Sequence, residues 1–178
     1  MSQKNYDDIV ESISYTATYM ENHLGTFSKM EEEHIRDHIL SMMNGILAIR
    51  GTVETFNGKG KTDILFTYKE DNIFIADCKI WRGRKEFKEA VGQLERYLGW
   101  NDAKTALIVF YRDKGSMSEK IAEMRDIIKS LPNCRTDLTQ DKKRGGRFLM
   151  DHPQDNKKSY YLELIVFNYG QGQKSNSE

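Results

Sequence analysis

The chain has 178 residues, 30% charged and 38% hydrophobic, with 27 basic and 27 acidic side chains in balance. This length fits one domain of ordinary size, and zero net charge argues against a protein that holds nucleic acid by bulk electrostatics alone. Two cysteines, no long apolar run and no apolar N-terminal core argue against a disulfide scaffold, a zinc knuckle, a membrane helix and a secretory leader, so a reducing, cytoplasmic setting is expected.

Residues 6–22 carry Ile9, Ile13, Ala17 and Met20 at helical spacing. Gly25-Thr26-Phe27 breaks this helix. Ser28 is expected to start the next, with Glu31 three residues on as a capping box. Ile35, Ile39, Met42, Met43 and Ile46 supply its apolar positions, and Asn44-Gly45 can end it. A first strand is expected from Ile49 to Phe56, followed by a turn at Asn57-Gly58-Lys59-Gly60.

Residues 62–68 and 72–81 are rich in β-branched and aromatic side chains and flank the polar link Lys69-Glu70-Asp71-Asn72, so they read as a hairpin. In its second strand Asp77 and Lys79 are two apart and share a face with Ile73 and Ile75, while Phe74, Ala76, Cys78 and Ile80 point the other way. Both faces are largely apolar, as in a strand covered on both sides. Two charged groups at the end of such a strand stand out, because burying charge is costly unless it is paired or metal-bound.

Trp81-Arg82-Gly83-Arg84 reads as a loop. Residues 85–98 read as a helix with Phe87, Val91, Leu94 and Leu98 on one face, and with Gln93 and Tyr97 one turn apart. Residues 105–111 are continuously apolar, and after a crossover helix they can pair in parallel. Ser116 with Glu119 opens another helix, carrying Ile121, Met124, Ile127, Ile128 and Leu131 and stopped by Pro132. Strands follow at 135–138, 147–150 and 160–167. The organisation expected is a single domain over 1–168, with 1–27 as an N-terminal helical extension and 169–178 as a disordered polar tail.

Asp63, Asp77 and Lys79 suggest a chemistry. A phosphodiester is anionic and repels an attacking hydroxide. Two carboxylates can hold a divalent cation that neutralises the phosphate and acidifies a water. A lysine beside them can orient or deprotonate that water, or neutralise the transition state. Its compact ammonium suits this better than a guanidinium.

On these residues the chain resembles the PD-(D/E)XK nuclease superfamily, which includes many restriction endonucleases, Holliday-junction resolvases and phage-defence effectors. Asp63 matches the first acid of the motif, preceded by Lys61-Thr62 in place of proline. Asp77 and Lys79 match the paired acid and lysine. Gln93-Leu94-Glu95-Arg96-Tyr97 matches the Q-x3-Y element of some branches. The family often carries a glutamate on its first helix; Glu33 is the candidate, with Glu32 and Asp37 as rivals. The resemblance implies an α/β fold with a restriction endonuclease-like αβββαβ core, a mixed central sheet flanked by helices. It implies Mg²⁺ or Mn²⁺ held by Asp63, Asp77 and the Cys78 backbone carbonyl, and catalysis by Asp63, Asp77, Lys79, Gln93 and Glu33. The expected activity is endonucleolytic cleavage, of DNA foremost, in restriction or anti-phage defence. A binding module that keeps the fold, or a nuclease dependent on a sensor protein, is the alternative.

Charge is unevenly spread. Residues 1–40 hold three Lys/Arg and eight Asp/Glu, while residues 59–85 hold seven Lys/Arg and four Asp/Glu. Lys59, Lys61, Trp81, Arg82, Arg84 and Tyr97 are the candidate nucleic-acid contacts, Trp81 reading either as a core or cleft-lining group or as a stacking platform for a base or sugar. Residues 141–147 are also basic and read either as a phosphate contact or as a solvated loop. With no separate recognition domain, a homodimer or a partner protein is expected to supply affinity. Glu54 can join the acids or face solvent. His34 and His38 are one helical turn apart with no third ligand indicated, and His152 reads as structural or as a surface residue.

Overall fold

The computed structural model describes residues 3–48, 64–68, 71–100, 104–140 and 144–170. The first expected strand, Glu54, Lys59, Lys61 and Asp63 lie outside these residues. The elements run α1 (Gln3–Glu21), α2 (Leu24–Phe27), α3 (Glu32–Ala48), β1 (Ile64–Tyr68), β2 (Asp71–Ile80), α4 (Arg84–Arg96), β3 (Lys104–Tyr111), α5 (Met117–Lys129), β4 (Cys134–Asp137), β5 (Gly145–His152) and β6 (Asp155–Asn168). The described strands form a six-stranded sheet in the order β1-β2-β3-β6-β5-β4. β2 and β6 each pair parallel to β3, and the remaining ladders are antiparallel. The class is therefore α/β, a mixed sheet with flanking helices.

Strand alternation divides the core in two. Phe74, Ala76 and Cys78 of β2, with Ala106, Ile108 and Phe110 of β3, face α1 and α3. Ile75 of β2, with Leu107, Val109 and Tyr111 of β3, faces α4 and α5. Both faces of β3 are covered, which is why its sequence is an unbroken apolar run. α4 carries the chain from the end of β2 to the start of β3, and Phe87, Val91, Leu94 and Leu98 are buried on its inner side as their spacing requires. Ser116 caps α5, its Oγ accepting from the Glu119 N–H at 3.3 Å.

α1 is bound to the sheet along its whole length. Tyr6, Ile9, Ile13, Ala17 and Met20 are buried. Arg147 donates to Asp7 at 2.8 Å and to Glu163 at 2.6 Å, and Arg144 donates to Glu21 at 2.7 Å. Arg144 and Arg147, two of the basic residues considered for phosphate contact, are thus committed to acids of α1 and β6. Burial raises the Glu163 carboxyl, and the Arg147 bond partly offsets it.

Four expectations are corrected. Ser28 ends α2 instead of starting α3, its N–H bonding the Leu24 carbonyl, and α3 begins at Glu32. Asn44-Gly45 does not end α3, which continues to Ala48. β5 and β6 are longer than their expected spans, because they pair out to a tight link between His152 and Asp155. Tyr169 belongs to the core and not to a tail: it is 2% exposed, stacks among Phe110 and Phe167, and bonds the Tyr111 carbonyl through its N–H at 2.7 Å. Among the described residues no helix is long and apolar enough to cross a membrane.

Candidate active site

Asp77 and Lys79 lie near the carboxyl end of β2, beside the parallel neighbour β3, the end at which open α/β sheets hold their ligands. Their shared parity points both to the α4 side of the sheet. Asp77 is fully buried, and the Lys79 Nζ stands 3.3 Å from its Oδ1. A second carboxylate approaches from α3. Glu32 Oε1 lies 3.8 Å from the same ammonium, and Glu32 Oε2 accepts the Ile80 N–H at 2.8 Å. Lys79 therefore sits between two carboxylates from separate elements. Its side chain is 26% exposed, so the ammonium is both held by the protein and open to a ligand.

The opening is a cavity of about 600 Å³ above Lys79, walled by the 81–84 loop, the first turns of α4 and Glu32. Gly83 makes the loop possible. Its φ of +116° and ψ of 172° lie in a region essentially restricted to glycine, and the next residue starts α4. Arg82, Arg84 and Lys85 stand around this mouth. Gln93 lines the cavity from α4 and donates through Nε2 to the Tyr97 Oη at 2.9 Å. Helical i,i+4 geometry explains that pair.

Of the two neighbouring glutamates, Glu32 and not Glu33 reaches Lys79. Glu33 is exposed, while Glu32, one residue earlier, is turned toward the sheet edge. Trp81 is not a stacking platform for a base. It is 8% exposed, packs on Phe87 at 5.5 Å, and has the Lys120 ammonium 4.8 Å from its ring centroid. Arg84 is 62% exposed and donates to Glu123 at 3.1 Å. Glu123 also accepts from Lys120 at 2.6 Å, and these donors, Lys120 first, hold its carboxyl below the ordinary range. Tyr97 is half-buried and packs against the α4–α5 core. The Cys78 side chain is buried on the opposite face, toward α1 and α3.

Lys120, Glu123 and Arg112 were not singled out by the sequence. Each acts on residues more than 30 positions away, and no spacing rule reaches that far. His152 is buried, and its Nε2 is 3.2 Å from the Gly99 carbonyl, a structural role as expected. His38 packs on Phe27 at 4.8 Å.

The donor set can be tested against a divalent cation. Asp77 and Glu32 are hard oxygen donors that converge on one ammonium, and such donors suit Mg²⁺ or Mn²⁺ and not a thiophilic metal. Among the described residues no group of three His, Cys, Asp or Glu is close enough to hold a metal. The third carboxylate offered by the sequence, Asp63, lies outside them. The chemistry of the pair fits such an ion. Comparisons with protein families, with curated proteins and with solved structures return no match.

Proposed function

We propose that the chain is a metal-dependent endonuclease of the PD-(D/E)XK type, with the restriction endonuclease-like αβββαβ core, acting on DNA in restriction or anti-phage defence in the cytoplasm. The observation that carries this reading is the placing of one partly exposed lysine between a buried aspartate and a glutamate, at the floor of a cavity with an arginine-rich mouth. Neither fold stability nor simple binding requires that combination, since a buried ion pair contributes little net stability.

Mg²⁺ or Mn²⁺, held by Asp77, Asp63 and the Cys78 carbonyl with Glu32 beside them, would polarise the phosphate and supply positive charge to the reaction. The chain's own groups do the rest. Arg82 and Lys85 draw the phosphate backbone into the mouth. The Lys79 ammonium, fixed by its two carboxylates, donates to a non-bridging oxygen and stabilises the charge that grows as the bond breaks. The Gln93 amide holds a water on the α4 side of the cavity. One site cuts one strand, so a double-strand break calls for two copies or a partner.

Incubating the purified chain with supercoiled plasmid and Mg²⁺ or Mn²⁺ tests the reading. Nicking is expected in the wild type. Lys79→Ala and Asp77→Ala should each slow it by about 10²–10⁴-fold. Equal cleavage by wild type and well-folded Lys79→Ala would reject the assignment. So would a wild type inert on duplex and single-stranded DNA and RNA with either ion.

A further inference from the structure

Arg112 follows β3 directly and shares the parity of Phe110, so it points to the face that α3 covers. Its Nη2 donates to the carbonyl of Met30, in the link between α2 and α3. Met30 is two residues before Glu32. In turn Glu32 accepts the Ile80 N–H at 2.8 Å, and the next amide, Trp81 N–H, bonds the Phe110 carbonyl at 2.9 Å. Ile80 and Phe110 are themselves register partners in the sheet. These bonds close a ring: Arg112 to Met30, along the chain to Glu32, to Ile80, and across to β3. The far side of Arg112 is also fixed, because Tyr169 bonds the Tyr111 carbonyl at 2.7 Å.

We propose that Arg112 is a positioning residue for Glu32, holding the first turn of α3 against the ends of β2 and β3 so that the Glu32 carboxylate meets Lys79. The inference rests on the nuclease reading for its effect on rate, but its geometric part stands by itself. The Ser28 residue expected to cap α3 lies instead at the end of α2, where its N–H bonds the Leu24 carbonyl. A helix start that is free to slide would carry Glu32 away from an ammonium it approaches only to 3.8 Å. Arg112 keeps this contact at a desolvation cost, for its Nε–H is buried with no acceptor among the described residues.

The test uses the full chain and two readouts. The first is hydrogen exchange at the Ile80 amide, which reports the Glu32 bond whatever the protein catalyses. The second is steady-state plasmid nicking with Mg²⁺. Arg112→Ala should speed Ile80 exchange, and should lower kcat by about 10–100-fold with KM nearly unchanged, as for a misplaced group outside the substrate contacts. Arg112→Lys, which can still donate to the Met30 carbonyl, should recover most of both. Arg112→Ala combined with Glu32→Ala should be no slower than Glu32→Ala alone. If Arg112→Ala fails to fold, Arg112→Met, which keeps an unbranched stem and removes the donor, takes its place beside Arg112→Lys. Unchanged Ile80 exchange would overturn the proposal, as would losses that add independently in the double variant. A wild type that never nicks, with Ile80 exchange still dependent on Arg112, would reject the nuclease reading and leave the positioning intact.

Discussion

Lys79 and Asp77 make opposite demands. The aspartate is fully buried and gains from a nearby cation, while the lysine keeps a partly exposed side chain, as the proposed reaction would need. Lys79→Met should therefore have a stability effect as well as a catalytic one. It withdraws the ammonium from a buried carboxylate and should cost about 1–3 kcal/mol, read as a shift in the denaturation midpoint. Adding Asp77→Asn should recover part of that loss and none of the activity. Lys79→Arg should keep the stability and lose most of the rate, because the larger planar guanidinium cannot put its charge where the compact ammonium stands. Gly83 sets a different constraint. A Cβ there would meet no neighbour, so Gly83→Ala is a test of backbone strain alone. With φ at +116° it should destabilise by about 1–3 kcal/mol and splay Arg82 and Arg84 from the mouth. An unchanged melting temperature would show that the loop relaxes freely.

At the scale of elements, α4 and α5 meet the 81–84 loop through one acid. Lys120 and Arg84 hold the Glu123 carboxyl below its ordinary value near 4.5, the Lys120 bond being the larger cause. A folded value below the unfolded one means stability that is present above about pH 4.5 and is lost as pH falls through the depressed value. Glu123→Gln should thus flatten the acid limb of a plot of melting temperature against pH. Glu163 has the opposite sign: burial raises it, so its contribution is full below its unfolded value and declines as pH rises through the folded one. An acid limb just as steep in Glu123→Gln would remove Glu123 from the account. Much of this level was legible in the sequence. Period-2 alternation gave the two faces of β2, and the Phe87, Val91, Leu94, Leu98 stripe gave the inner side of α4. The start of α3 was not legible, because Ser28 and Glu31 match a capping box while Ser28 in fact closes the short α2 through its backbone N–H. Glu32 and Glu33 were both candidates, and what separates them is the facing of α3, since one residue along a helix is about a 100° rotation. Trp81 beside Arg82 looked like a stacking group because its true neighbours, Phe87 and Lys120, arrive from two helices.

For the whole molecule, charge balance conceals a division of labour. The acids of α1 and β6 are matched to Arg144 and Arg147 of the β5 region, while Arg82 and Lys85 surround the cavity. These two basic sets should respond differently. Arg82→Ala or Lys85→Ala should each lower the salt slope of DNA binding by about 1 and leave stability nearly unchanged. Arg147→Ala should leave that slope alone and destabilise by about 2–4 kcal/mol, since it strands the mostly buried Glu163. The pairing spans 140 residues between Asp7 and Arg147, beyond any pattern a sequence displays. The position of β6 has a further consequence, one of timing. A ribosome releases β3 and β5 before β6, yet β6 lies between them in the sheet. Each of the earlier strands emerges with one edge waiting for the same late segment, and that segment closes both ladders at once. Residues 64–111 can leave the exit tunnel and still lack the neighbour that braces β3, so the strand beside Asp77 and Lys79 gains its second parallel partner only when β6 is free.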